Sequence, residues 1–96
     1  MIPPFDAARR YRLSPEVALR PEPFGALAYH FGNRRLCFLK VPELVEVVCG
    51  LGAHSSARDA VSRLPAQQRG ACLRALASLA AAEVIVPDAA ASAEQP

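Results

Sequence analysis

Large and small side chains alternate most clearly from Ala26 to Phe31. Leu27, Tyr29 and Phe31 alternate with Ala26, Ala28 and His30, the period of two that marks a half-buried strand. Gly32-Asn33 follows, a turn signal because both residues tolerate positive φ. Arg34 and Arg35 lead into a second β-prone run, Leu36-Cys37-Phe38-Leu39, and the two runs together predict a β-hairpin. Upstream, Val17–Arg20 is a short apolar stretch ended by Pro21-Glu22-Pro23, where two prolines hold the chain to an extended bend or a sheet edge. Residues 1–16 show no clear periodicity and predict an N-terminal arm, with Tyr11 and Leu13 available to anchor it.

Beyond the hairpin the period changes from two to that of a helix. Pro42 suits the first turn of a helix, where its missing N–H costs nothing. Glu43 and Glu46 lie near the positive end of its dipole. Leu44, Val47, Val48 and Leu51 recur at helical spacing, and Gly50 and Gly52 offer C-cap positions. A second helix starts at Ser55 or Ser56, with Asp59 completing a weak capping box and Ala57, Ala60, Val61 and Leu64 on its apolar side. Pro65 breaks this pattern or opens a third helix over about 66–82, whose stripe is Cys72, Leu73, Leu76, Leu79 and Ala80; Gly70 weakens its first half. Val84-Ile85-Val86 reads as a short strand stopped by Pro87.

This order predicts an α+β fold with a winged helix-turn-helix layout: an N-terminal β-hairpin within three short strands, three helices, and a short C-terminal strand. The expected division is an arm at 1–16, one domain at 17–87 and a disordered tail at 88–96, whose Ala/Ser/Glu/Gln/Pro composition cannot form a core.

Composition narrows the function. Ninety-six residues, 52% of them hydrophobic, make one domain. Ten arginines and one lysine face nine acids, a net charge of +2, and two of the acids (Asp88 and Glu94) lie in the tail. The body is mildly basic, below what a dedicated DNA-binding domain carries, and suits an acidic peptide. Three cysteines, Cys37, Cys49 and Cys72, without C-x-x-C spacing argue against a disulfide framework or zinc site; they read as small core hydrophobes. Cys72 alone could be exposed in a groove. The N-terminus lacks a signal-peptide layout, and no apolar run reaches the length of a membrane span. The expected location is the cytoplasm, with reduced thiols and no membrane partner.

His30 and His54 are the only histidines, and nothing places a nucleophile and an orienting group beside either. One reads as a surface residue, the other as packed or hydrogen-bonded. No phosphate loop, paired carboxylates or H-E-x-x-H occurs. The chain is therefore expected not to be an enzyme, with no metal or cofactor of its own. The arginines are more interesting. If Leu36–Lys40 is an exposed sheet edge, its free N–H and C=O groups can accept an added strand. The candidate peptide-binding residues are then Arg34, Arg35, Leu36, Cys37, Phe38, Leu39 and Lys40 on the hairpin, with Arg69, Cys72, Leu73 and Leu76 on the third helix. Apolar members would floor a groove while arginines grip acidic side chains at its ends.

Tyr11-Arg12-Leu13-Ser14-Pro15, Val17–Leu27 and Tyr29-His30-Phe31-Gly32 closely resemble the mycofactocin biosynthesis chaperones. Leu36, Phe38-Leu39-Lys40, Leu73–Ala77 and Leu79 extend the resemblance, which covers about Tyr11 to Pro87 and is most specific over Arg20–Gly32. That family is similar in fold to the small peptide-binding protein of pyrroloquinoline quinone synthesis, a recognition element of peptide-modification systems. The resemblance implies binding of the leader segment of the mycofactocin precursor peptide beside the hairpin strand and the third helix. It also implies a radical S-adenosylmethionine maturase as partner, which decarboxylates and cross-links the precursor's C-terminal Val-Tyr and carries the iron–sulfur clusters itself. The short second helix and the break at Pro65 depart from the larger recognition-element pattern. Two rivals are a winged-helix DNA-binding regulator, whose third helix would enter a major groove, and a structural subunit with no peptide ligand. Against the first, that helix carries only Arg69 and Arg74 as cations, and no nucleic-acid partner is expected.

Overall fold

A computed structural model describes residues 4–88. The order is β1 (Tyr11–Leu13), β2 (Val17–Glu22), β3 (Gly25–His30), β4 (Leu36–Leu39), α1 (Pro42–Cys49), a 3-10 turn (Leu51–Ala53), α2 (Ala57–Ala60), α3 (Ala66–Ala81) and β5 (Ile85–Pro87). This is the α+β order expected. The antiparallel sheet β2-β3-β4 has β3 at its centre, and β1 pairs with β5 in a separate ribbon.

The segment expected as an unpatterned arm holds a strand. Tyr11, Arg12 and Leu13 pair with Pro87, Val86 and Ile85, and Tyr11 is buried, stacked on Phe5 at 5.1 Å. The backbone N–H groups of Ala57 and Arg58 donate to the carbonyls of Arg9 and Ala7, both at 2.9 Å. Residues 7–9 thus satisfy amides that the start of α2 would otherwise leave unpaired. Ser56 caps the same helix, its Oγ accepting from the Asp59 N–H at 3.0 Å. Asp88, read from the sequence as the head of the tail, is tied down as well. Its N–H donates to the Arg10 carbonyl at 2.9 Å, and its carboxylate faces Arg10 Nε at 3.2 Å and Arg12 Nε at 3.8 Å. The remaining tail positions, 89–96, lie outside the described residues.

Helix boundaries follow local chemistry. Pro42 opens α1, and Pro65 is the N-cap of α3. Gly50 closes α1, yet its φ of −98° is not left-handed, and the chain continues into the 3-10 turn. The left-handed C-cap belongs to α3: Glu83 has φ 64°, its N–H donates to Ala80 at 3.0 Å, and the Val84 N–H reaches Leu79 at 2.9 Å. These are the two bonds of a Schellman motif.

The core lies between the sheet and the helices. Leu39, Val48, Leu51, Val61, Leu76, Val84 and Ile85 are its largest fully buried side chains. On β3 the inward face is Ala26, Ala28 and His30, while Tyr29 and the following Phe31 point out. Alanines on the inner face let α1 approach the sheet, so the small residues are buried and the large ones exposed.

Candidate functional site

Among the described residues the outer side of β4 pairs with no other strand. Across the hairpin, Ala26, Leu27, Ala28 and Tyr29 pair with Leu39, Phe38, Cys37 and Leu36, and the His30 N–H donates to the Arg35 carbonyl at 2.9 Å. Hydrogen-bonded and non-bonded pairs alternate in an antiparallel ladder. The backbones of Cys37 and Leu39 therefore bond to β3, whereas those of Leu36 and Phe38 turn their N–H and C=O groups to the open side. The opposite edge is blunter. Phe31 donates to the Glu16 carbonyl at 2.8 Å, which sets Val17, Leu19 and Pro21 outward on β2, and Pro21 has no N–H to offer.

A cleft of about 310 Å³ opens between α1 and α3. Its apolar lining is Val41, Leu44, Leu64, Ala71, Cys72 and Ala75, with Glu43, Gln67 and Gln68 as polar members. This volume is at the lower end of small-ligand pockets, roughly 300–1,000 Å³, and suits a few apolar side chains. Val41 stands two residues beyond the end of β4, past Lys40, so the chain leaving the open strand edge runs to the cleft wall.

The residues singled out from sequence separate into groups. Cys72 lines the cleft. Leu76 is wholly buried and belongs to the core, and half-buried Leu73 packs against that core outside the cleft lining. Leu36 and Phe38 offer backbone to the edge, but their side chains point to the opposite, outer face of the sheet; Leu39 is buried and Cys37 half-buried inward. Lys40 is exposed, with Nζ 6.0 Å from the Phe38 ring centroid. Arg34 and Arg35 are exposed on the hairpin loop, whose Asn33 side chain donates to the Ala82 carbonyl at 3.3 Å, past the end of α3. Arg69 is exposed near the start of α3, its Nε donating to the Leu64 carbonyl at 2.9 Å. These arginines bracket opposite ends of α3, roughly 20 Å apart at 1.5 Å per residue, the length of about six extended residues.

Sequence reasoning missed Val41, Leu44, Leu64, Ala71 and Ala75. The available signal was Gln67, Ala71 and Ala75 at spacing four, beside Gln68 and Cys72, which shares one helix face. Large apolar residues satisfy the core; the cleft forms where side chains are too short to close it.

Both histidines have structural work. His30 Nδ1 accepts from the N–H groups of Gly32 and Asn33 at 3.0 and 3.2 Å, and His54 Nδ1 lies 2.9 Å from Asp59 Oδ2. That capping sets the turn, so the left-handed residue is Arg34 (φ 62°) and not Gly32 or Asn33. The cysteines are not uniformly core: Cys49 is exposed, Cys37 intermediate and Cys72 buried. Burial pushes the Cys72 thiol pKa up, which keeps it protonated and slow to react. Ellman's reagent is expected to label Cys49 first and Cys72 last. Mass spectrometry of partly labelled protein checks the order, and early Cys72 labelling would mean an open cleft floor.

The family model described as the peptide chaperone MftB family matches residues 10–86, the span from the start of β1 to β5. The chain belongs to the MftB peptide chaperone family. Among similar proteins is the peptide chaperone MftB of Mycolicibacterium smegmatis, 46% identical over 85 residues that cover 86% of this chain and 83% of that protein. Those of Mycobacterium ulcerans and Mycobacterium tuberculosis are each 44% identical over 85 residues, 86% of this chain and 78% of theirs. No solved structure matches. Nothing in these similarities to MftB chaperones supports the DNA-binding alternative. Among the described residues no helix is long and apolar enough to cross a membrane.

Proposed function

We propose that this chain is a peptide chaperone of mycofactocin biosynthesis, working in the cytoplasm and contributing position rather than chemistry. The precursor's leader segment joins the sheet as a strand on β4, bonding to the outward N–H and C=O groups of Leu36 and Phe38. Its inward side chains enter the cleft over Leu44, Ala71, Cys72 and Ala75, and acidic residues at its ends meet Arg34, Arg35 and Arg69. The loaded chaperone then holds the precursor at a radical S-adenosylmethionine maturase, raising the local substrate concentration there. The observation that carries this reading is a proline-free strand edge, unpaired among the described residues, whose chain runs on to an apolar cleft, in a member of a peptide chaperone family.

Calorimetric titration with a synthetic leader peptide tests it. One-to-one binding is expected, weakening as salt rises because the flanking ion pairs are screened. Arg35→Glu is expected to lower affinity about three- to tenfold, the effect of losing and then reversing one charge pair at a partly exposed rim, and to flatten the salt dependence. A folded protein that takes up no leader, or an Arg35→Glu variant that binds like the parent, would remove the reading or its charged flank respectively.

A further inference from the structure

The sheet has a second face whose apolar side chains lie outside the proposed leader site, with Arg34 and Arg35 shared between the two. Tyr29, Phe31, Leu36 and Phe38 point away from the helices, with Phe31, Leu36 and Phe38 each more than half exposed. Phe24, 40% exposed, meets Phe38 edge-on at 5.9 Å, and Tyr29 meets Phe31 at 5.4 Å. At roughly 150–250 Å² per aromatic side chain these residues leave on the order of 500 Å² of apolar surface open, near the top of what a monomer's largest patch shows. Arg34, Arg35 and Lys40 stand at its border, exposed and without an ion pair among the described residues; Arg20 is paired with Glu22 at 3.0 Å.

We propose that this outer face docks a protein whose contact surface has an apolar centre and an acidic rim. Resting on the function proposed above, that protein is the maturase. A second copy of this chain fits poorly. Two such faces packed together would bring like-charged borders into contact, and the patch falls short of the roughly 800 Å² per partner of a standard interface. The maturase reading supplies the missing area. A peptide added to β4 continues the pleat, so every second leader side chain emerges on this same face next to Leu36 and Phe38. The face is complete only when the leader is bound, and the maturase then distinguishes the loaded chaperone from the empty one. Leader and maturase thus strengthen each other's binding, as coupled ligands must.

The test uses the full chain carrying Phe24→Ser, Tyr29→Ser and Phe31→Ser, three positions outside the β4 edge and the cleft. Anaerobically purified maturase from the same genome and synthetic leader peptide are titrated separately and together, with sedimentation of the parent alongside. The expected results are a monomeric parent, leader affinity within about twofold of the parent's, and maturase affinity lowered about tenfold or more, as for loss of an aromatic hot spot. If the triple variant melts early, Phe31→Ser alone is read the same way, since Phe31 lies beyond β3 and is exposed. Unchanged maturase affinity overturns the inference. So does equal loss of leader binding, which would make the face part of the leader site, or a parent dimer that the variant dissolves. A parent that binds the leader but not the maturase overturns this inference and leaves leader binding standing. A parent that binds neither overturns the proposed function with it.

Discussion

Phe38→Pro is expected to weaken leader binding about tenfold or more while the domain stays folded, and Cys37→Pro is expected to unfold the hairpin. The two positions are neighbours, and only the phase of the ladder separates them. The N–H of Phe38 points to the open side of β4, because Phe38 sits opposite Leu27 in a non-bonded pair. Proline there removes a donor that an incoming strand needs and puts a ring where its carbonyl would lie. One lost backbone bond contributes about 0.5–1.5 kcal/mol, and the ring's exclusion of the strand takes the loss to the tenfold level. Cys37 sits opposite Ala28, and its N–H belongs to the ladder that holds β4 on β3. Proline there deletes that bond and turns its ring toward β3; leaving the partner carbonyl unsatisfied costs about 1–3 kcal/mol, a large part of the total stability of a small domain. Phe38→Ala is the control that removes the side chain and keeps the N–H; it should retain leader binding. Thermal melts and calorimetric titration of the three variants check the set. Leader binding by Phe38→Pro at parental strength would show that the added strand does not use this edge.

Gly25→Ala is expected to destabilise the domain by about 3 kcal/mol or more. Gly25 turns β2 into β3 with φ 146°, a conformation that residues with a Cβ rarely adopt. An added Cβ would also collide with the carbonyl oxygen of Leu39 on the next strand. Backbone strain of about 1–3 kcal/mol adds to an overpacking cost of similar size. Neither can relax by moving a flexible side chain, since the obstacle is backbone. Gly50→Ala is the matched control. There φ is −98° and the nearest atom, the Glu46 carbonyl oxygen, is 3.5 Å away, so a near-neutral change is expected. Chemical denaturation of both variants measures the difference. A Gly25→Ala protein as stable as the parent would mean the turn adopts another backbone path.

Elements whose signal is local were legible in the sequence. The alternation at 26–31, the proline at 42, the serine cap at 56 and the apolar stripe of the third helix each act within a few residues, and each lies in the element it suggested, except that Phe31 falls one residue beyond β3. Elements that depend on distant partners were not. Tyr11–Leu13 is three residues long, too short to show a period, and is a strand because β5 lies beside it. Asp88 sits in a compositional tail but is fixed by two arginines of the other chain end.

The site was legible as backbone and less so as side chains. The β4 edge follows from the hairpin and the order of the strands. The cleft depends on where α3 fails to fill space against α1, and no stripe of large residues marks that. The stripe named Leu73 and Leu76, which the core absorbs, whereas Ala71 and Ala75 leave the gap. Cys49 follows the same logic in reverse. It sits among apolar residues in sequence, yet α1 turns it to the surface while burying Val48.

Amide hydrogen exchange, resolved by residue with and without saturating leader peptide, reports whether the leader adds a strand to β4. The N–H groups of Leu36 and Phe38 are expected to exchange freely in the empty protein and to become protected when the leader binds. Those of Cys37 and Leu39, already bonded to β3, and of Val17 and Leu19 on the far edge should change little. Leader binding that leaves the Leu36 and Phe38 amides as exposed as before, or that protects the β2 edge in their place, would contradict strand addition on β4.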